Sequence, residues 1–237
     1  MRPNRRTIES GMLRFFRACL LGLAILFSLG TGPLEAAEWG TIIIPRVQYG
    51  GGGDWYTDPT SMPNLLKAAA ERMKLPTRPD NVAIKLNDGE LYQYPMIYLT
   101  GHGNVKLADD EVNRLVSYLD NGGFLWIDDC YGIDKSIRRE FKKLYPDKEV
   151  SLVPMDHPIY HTVYDFPKGL PKIHEHDGKP PQGYGIFNKG RMVIFYSVET
   201  DIGCGLEDAG VHPEDTPEIR ESALKMALNI LVFAMTQ

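Results

Sequence analysis

Apolar residues fall into short unbroken runs along the chain, separated by longer segments with helical periodicity. The runs cover Thr41–Val47, Val82–Leu86, Met96–Thr100, Phe124–Asp128 and Met192–Ser197. Runs of this length, nearly continuous in Ile, Val, Leu and Tyr, are typical of strands that helices cover on both faces. The pattern therefore predicts a parallel β-sheet.

Four segments between and after these runs have the spacing of amphipathic helices. The clearest has apolar residues at i, i+3, i+4 and i+7, follows three acidic residues and stops at a glycine pair; its apolar positions are Val112, Leu115, Val116 and Leu119. The others begin near Pro63 and end before Pro76, cover Ile137–Leu144, and begin at Thr216 with Pro217 in the first turn. Strands that alternate with helices predict an α/β domain with helices on both faces of the sheet.

The segment from Val150 to Gly190 departs from this alternation. It is rich in Pro, His, Tyr and Gly, and its strand signals are short. We expect an inserted loop region here, about 150–190, with a hairpin near Gly185 to Met192. Long insertions of this kind often form lids or binding loops.

The first 36 residues have the pattern of a signal peptide. Five arginines precede an uncharged apolar run from Ala18 to Leu29, and cleavage is expected after Ala36 or Ala37. The run is shorter than the roughly 20 residues that span a bilayer. We therefore predict an exported protein, periplasmic or secreted, with a single domain over residues 37–237. Contact with a membrane is expected only if the signal stays uncleaved.

Charge narrows the choice of partners. Removing the signal takes away five Arg and two Glu, so the formal net charge shifts from −5 to −8. An acidic chain without a stripe of Lys and Arg argues against nucleic acid as a partner. The signal also carries Cys19, which leaves Cys130 and Cys204 as either one disulfide or two thiols.

The strand ends indicate where a site should lie. In open parallel sheets, ligands bind beyond the carboxyl ends of the strands. Candidate ligand-binding residues at these ends are the glycine-rich loop with its acidic and aromatic neighbours, the glycines around a histidine, and an aspartate: Gly51, Gly52, Asp54, Trp55, Gly101, Gly103 and Asp128. Asp128 and Asp129 should point to opposite faces, since they are adjacent on a strand end.

One segment, Tyr98 to Gly132, resembles a bacterial domain-of-unknown-function family, number 4159. The likeness extends to IIIPRVQYGGGGDW at the start of the domain, to the DDC that ends at Cys130, to PMDHPIY and to the closing NILVFAMT. This family is grouped with the class I glutamine amidotransferase-like superfamily. The resemblance therefore implies a three-layer, flavodoxin-like fold.

Active members of that superfamily carry a cysteine on the turn after a central strand, together with a histidine and an acidic residue. The resemblance thus points to Cys130 as a nucleophile, although no paired His and Glu follow in a late strand where the superfamily places them. His102, between two glycines at the same edge, is the candidate acid or base, with Asp129 as the candidate carboxylate. The alternative for His102 is a histidine in a tight turn. The surroundings differ from that pattern, because Asp129 and Tyr131 stand where glycines are expected. Neighbouring carboxylates also raise the pKa of a thiol. A buried or disulfide-bonded cysteine is the alternative.

Histidines and carboxylates in the inserted region form a candidate metal site. His157 and His161 are its central residues, with Asp156, His174, Glu175 and His176 nearby. Imidazole and carboxylate suit zinc or another divalent ion. The alternative is that these are surface histidines and that the protein has no cofactor.

The favoured function is a non-catalytic module that binds an unknown small molecule or an envelope protein, because no complete catalytic set can be assembled from the sequence. The alternative is a cysteine- or metal-assisted hydrolase that uses Cys130 and His102. A third is an interaction protein with an exposed apolar patch.

Overall fold

A computed structural model of the protein describes residues 40–237. The predicted signal segment, including Cys19, lies outside the described residues. Within residues 40–237, no helix combines the length and the apolar character needed to cross a membrane.

Seven strands form one mixed sheet. They are β1 Arg46–Val47, β2 Ala83–Ile84, β3 Met96–His102, β4 Phe124–Tyr131, β5 Ser151–Leu152, β6 Gln182–Asn188 and β7 Arg191–Val198. Their order across the sheet is β2-β1-β3-β4-β7-β6-β5. Each of the five runs predicted as strands contributes one, although β1 and β2 are shorter than predicted.

The sheet is mostly parallel, with four parallel pairings and two antiparallel ones. Neighbouring strands among β2, β1, β3, β4 and β7 pair in parallel, whereas β6 pairs antiparallel with both β7 and β5. The cause is a two-residue turn at Lys189 and Gly190, whose φ angles are 51° and 80°. Positive φ at both positions matches the twist of a tight hairpin, so the hairpin expected near Gly185 to Met192 is present.

Within the described residues, five α-helices accompany the sheet: α1 Ser61–Met73, α2 Asp109–Asp120, α3 Asp134–Leu144, α4 Ile202–Gly205 and α5 Pro217–Thr236. Short 3-10 turns cover Gly89–Gln93 and Pro158–Tyr160. The four predicted helices are all present, and Thr216 caps α5 by accepting a hydrogen bond from the Ile219 N–H. Only the short α4 was not predicted.

The central strands are buried on both faces. Along β3, Met96 and Tyr98 belong to an apolar cluster that includes α1 and α5. The alternating residues Ile97 and Leu99 belong to a second cluster that includes α2 and α3. This two-sided burial explains the unbroken apolar run in the sequence. It also fixes the positions of the residues where β3 and β4 end.

The inserted region is packed against the domain. Ile159 and Tyr160 are buried within the first apolar cluster. Asn229 of α5, which is 0% exposed, accepts hydrogen bonds from the N–H groups of Val163 and Tyr164 and donates to the Tyr164 carbonyl. A single side chain on the last helix therefore anchors the insertion.

We predict that Asn229→Ala lowers the free energy of unfolding by at least about 2 kcal/mol, because two N–H groups and one carbonyl lose their partner. Chemical denaturation monitored by circular dichroism measures this. The matched control is Asn113→Ala, at an exposed position of α2, which should change stability by less than about 0.5 kcal/mol. Equal stability of the two variants would contradict the anchoring role.

Candidate active site

Four parallel strands, β1, β3, β4 and β7, end at the same edge of the sheet. Side chains from these ends and the loops after them meet there: Asp54 and Asp58 after β1, His102 at the end of β3, Cys130 near the end of β4, and Asp201 and Cys204 after β7. This is the edge at which the strand pattern predicts a site.

Three of these residues form a hydrogen-bonded chain. Asp54 Oδ2 lies 2.9 Å from His102 Nδ1, and Asp54 Oδ1 accepts the His102 backbone N–H at 2.5 Å. His102 Nε2 lies 3.2 Å from Cys130 Sγ. The carboxylate therefore fixes the orientation of the imidazole and directs its second nitrogen to the sulfur. These hydrogen bonds hold the pKa of Asp54 below its usual range, although burial acts in the opposite direction.

A glycine makes this contact possible. Gly101 has a φ of 141°, and a Cβ atom there would lie 2.2 Å from the Tyr49 hydroxyl and 3.1 Å from Asp54 Oδ1. No side chain fits between these groups. Gly101 thus allows the loop that carries Asp54 to pack directly against the end of β3.

A compact group of thiols and carboxylates lies beneath His102. Cys130 Sγ and Cys204 Sγ are 3.3 Å apart, and both residues are free cysteines. The Cys204 thiol also lies 3.3 Å from Asp58 Oδ1. Ligand atoms of Asp58, Cys130, Asp201 and Cys204 all lie within 4.8 Å of one another, and all four residues are buried. We call these four residues the buried cluster.

Asp201 links the buried cluster to the inserted region. Its Oδ2 lies 2.6 Å from His174 Nδ1 and 3.4 Å from His176 Nε2. These hydrogen bonds outweigh burial and lower the pKa of Asp201 to about 2. The second oxygen, Oδ1, is buried and has no hydrogen-bond partner. An unpaired carboxylate oxygen in such a place is costly unless a ligand uses it.

Apart from Asp201, the residues of the buried cluster favour their protonated, neutral forms. Burial, reinforced by the charge of Asp201, raises the pKa of Asp58 to about 7. The hydrogen bond with Cys204 lowers the pKa of Cys130. Burial and the charges of Asp58, Asp201 and Asp128 together have the larger, opposite effect, so the pKa is raised to about 12. The thiols therefore stay protonated at neutral pH unless a cation is present.

Asp128 and Asp129 point in opposite directions. Asp128 accepts hydrogen bonds from the Gly203 N–H and the Ser197 hydroxyl on the side of the buried cluster. Asp129 instead accepts the N–H of Ile133, immediately before α3, so it is not placed beside His102 and Cys130 as a catalytic partner. Asp54 takes that place.

The glycine-rich loop packs against the end of β3. The Gly53 N–H donates to the Asn104 carbonyl, and Gly51 O accepts from the Asn104 side chain. Gly52 is exposed in this loop, and Gly103 follows His102 with a φ of 83°. The loop thus positions Asp54. Beside it, the half-buried Trp55 makes an edge-on contact with the exposed Tyr56.

The histidines expected to bind a metal have other partners. His157 Nδ1 accepts the Ile159 N–H, and its ring packs against Phe233. Both ring nitrogens of His161 are engaged, with Asp165 and with the Met155 carbonyl. Within residues 40–237, neither histidine belongs to a group of three possible metal ligands.

A second group of possible ligands, His174, His212 and Glu214, is less suited to a metal. Both ring nitrogens of His174 are occupied, one by Asp201 and the other by Asp215 at 2.9 Å. Hydrogen bonds to Asp201 and then to Asp215 raise the pKa of His174 to about 9. A charged imidazolium in this position repels a cation.

These observations define a class of protein: an α/β domain with a buried group of thiols and carboxylates at the carboxyl edge of its sheet. The family model that matches residues 43–235 is described as a domain of unknown function, DUF4159. The chain belongs to this family, as the sequence resemblance indicated. No curated protein matches the chain.

His174 should make stability depend on pH. Its folded pKa of about 9 lies above the ordinary value of 6.5, so its stabilising effect is complete below pH 6.5 and is lost as pH rises through 9. The shift corresponds to about 3 kcal/mol. We predict that the Tm of the metal-free wild-type protein falls as the pH rises from 6.5 to 9. The Tm of His174→Gln should be lower than that of the wild type at pH 6, but it should change less with pH.

Thermal unfolding between pH 6 and pH 10 in the presence of a chelator measures this effect. His161→Gln is the matched control, since His161 also pairs with an aspartate but at the exposed surface. Parallel curves for wild type and His174→Gln would show that His174 does not carry the stabilising charge.

Proposed function

We propose that this protein is a zinc-dependent hydrolase whose metal is held by the buried cluster. The observation that carries the proposal is the convergence of two thiols and two carboxylates within 4.8 Å of one another in a buried position. Cysteine sulfur and aspartate oxygen are ligands that zinc uses in proteins, and thiolates favour zinc over magnesium or calcium. Cys130, Cys204 and Asp58 are the proposed ligands, with the unpaired oxygen of Asp201 beside them.

The distances support a site for an ion of this size. Sulfur atoms about 2.3 Å from a tetrahedral zinc are about 3.8 Å apart. The sulfurs of Cys130 and Cys204, now 3.3 Å apart, would need to separate by only about half an ångström. The charge of a divalent cation would also offset the repulsion among the buried carboxylates. It would stabilise the thiolate forms of the two cysteines as well, so that they bind as deprotonated ligands.

His102 is the proposed acid–base group. Its side chain is 46% exposed, so it lies between the solvent and the sulfur of Cys130. A zinc ion bound beneath it would lower the pKa of a bound water. His102, oriented by Asp54, would accept the proton of that water and return it to the leaving group. Three protein ligands and one water position are typical of catalytic zinc sites.

The second candidate is a cysteine hydrolase without metal. The hydrogen-bonded chain of Asp54, His102 and Cys130 favours it. In cysteine hydrolases, too, a polar side chain orients a histidine base, and that base contacts the nucleophilic sulfur. Against it, Cys130 is only 4% exposed, and burial together with the nearby carboxylates raises its pKa to about 12 despite the hydrogen bond with Cys204. Zinc binding resolves both difficulties by giving Cys130 the role of a ligand.

We also propose export and a wider relationship. The arginine-rich start of the chain and the apolar run after it support a signal peptide and a periplasmic or secreted protein. The two apolar clusters that share β3 support a three-layer, flavodoxin-like arrangement of the class I glutamine amidotransferase-like superfamily.

A binding module without catalysis would retain the zinc site but hydrolyse nothing.

We predict that the full chain, purified without chelator, contains about one zinc ion, as measured by plasma mass spectrometry. Cys204→Ser and Asp58→Asn each remove a ligand and should lower zinc affinity by at least about 100-fold. Asp156→Asn is the matched control, at an exposed position, and should bind zinc as the wild type does. Unchanged zinc content in both ligand variants would exclude this metal site.

Hydrolysis can be tested with a panel of chromogenic carboxylic and phosphoric esters. We predict that His102→Gln keeps its zinc but lowers turnover by about 100-fold to 10,000-fold, the usual contribution of a general base. Cys130→Ser should lose both zinc and activity. Turnover by a zinc-free wild type, abolished in Cys130→Ser, would instead favour the cysteine hydrolase. Zinc binding with no turnover on the panel would favour the binding module.

A further inference from the structure

The two cysteines of the buried cluster are close enough to react with each other. Their sulfur atoms are 3.3 Å apart although the residues lie 74 positions apart in sequence. Both are free and buried, and they are the cysteines that remain once the predicted signal with Cys19 is removed.

We propose that Cys130 and Cys204 form a reversible disulfide when the protein meets peroxide, and that this bond expels the metal. The effect on the metal rests on the proposed function, whereas the pairing of the two sulfurs rests on their distance alone. The site would thus have a reduced, metal-binding form and an oxidised form without metal.

Geometry makes the two forms exclusive. A disulfide brings the sulfurs to about 2.05 Å, whereas a zinc ion holds them at about 3.8 Å. The observed 3.3 Å lies between these values, so either form requires only a small movement. The sulfur electron pairs that would bind zinc are also those that would form the new bond, so one form excludes the other.

The positions of the two cysteines allow that movement. Cys130 lies near the end of β4, at a register shift where its neighbours Asp129 and Tyr131 pair with Gly101 and His102 of β3 and Cys130 itself is skipped. Cys204 lies in the four-residue helix α4, between Gly203 and Gly205. Each cysteine therefore lies outside regular pairing or a long helix, one at a β-bulge and the other in a single helical turn, where a small adjustment disturbs few backbone hydrogen bonds.

The chemistry balances with hydrogen peroxide as the oxidant. In the zinc-free protein, His102 Nε2, which lies 3.2 Å from the Cys130 sulfur, accepts the thiol proton as that sulfur attacks one peroxide oxygen. With zinc bound, the coordinated thiolate attacks directly. Either route gives a sulfenic acid and hydroxide. Cys204 then attacks the Cys130 sulfur, the S–S bond forms and water leaves. In total, two thiols and one peroxide give one disulfide and two waters. With zinc bound, two protons from solvent complete the balance and zinc is released.

The proximity of Cys204 decides the outcome for Cys130. A sulfenic acid with no thiol nearby is oxidised further to an irreversible sulfinic acid, whereas a neighbouring thiol traps it as a disulfide. Cys204 is in contact with the Cys130 sulfur before oxidation begins. We therefore expect complete recovery after reduction.

The test uses the full chain, loaded with one equivalent of zinc and titrated with hydrogen peroxide. Released zinc is measured with a chromogenic chelator, and thiols are counted by intact mass after denaturation and alkylation. We expect one zinc released for each pair of thiols lost, a mass lower by two hydrogen atoms, and recovery of thiols and zinc binding with dithiothreitol.

Cys204→Ser is the matched variant. Without its partner, Cys130 should gain oxygen atoms under the same peroxide and should not recover fully with dithiothreitol. Wild-type protein that gains oxygen atoms on each cysteine separately, or keeps both thiols at peroxide levels that oxidise Cys130 in Cys204→Ser, would overturn the inference.

A parallel titration of chelator-treated protein separates this inference from the proposed function. If the wild type never binds zinc, the proposed metal site is wrong and so is the expulsion of metal, while the mass still decides whether the disulfide forms. If zinc binds but oxidation gives no disulfide, the metal site stands and the inference fails.

Discussion

The burial of several potentially negative groups at one end of a sheet is the constraint on which the site depends. Asp58, Asp128, Cys130, Asp201 and Cys204 are each at most 5% exposed. A buried charge without a partner is among the most costly features a protein can contain. Hydrogen bonds, protons and the two histidines beside Asp201 offset part of this cost, and a bound cation would offset most of the remainder.

The architecture serves this arrangement. Parallel pairing of β1, β3, β4 and β7 brings the ends of four distant segments to one edge. Two apolar clusters hold the strands from both faces, so the strand ends have little freedom. The segments after β1 and β7 then add Asp54, Asp58, Asp201 and Cys204 to the strand ends that carry His102 and Cys130.

Local sequence patterns predicted the frame better than they predicted the site. Continuous apolar runs gave β3 and β4, and the spacing of apolar residues gave α2 and α5, because these signals depend on near neighbours along the chain. The hairpin of β6 and β7 was expected, but the pairing of β5 with β6 was not, because β5 has only two residues and gives no run of its own. Pairing direction is set by the turn at Lys189 and Gly190.

The site residues were predicted only in part for a related reason. The edge itself, His102 and Cys130 follow from strand order and resemblance. The partnership of Asp54 with His102 depends on a loop that packs at Gly101, and that of Cys130 with Cys204 depends on β4 lying beside β7. Such contacts are tertiary and leave no periodic signal. Asp58 lies far beyond β1 in sequence and carries no signal of its own.

The inserted region gives the domain a property that the sheet alone would lack. His174 and His176, which lie against Asp201, come from this segment rather than from a strand end. Because the hydrogen bond with Asp201 raises the pKa of His174 to about 9, the insertion supplies a positive charge to the site. An evolutionary exchange of this segment for an unrelated loop would leave the sheet intact but alter the inner wall of the site. The inserted loop and the strand ends are therefore coupled, because a change in either one alters the surroundings of Asp201.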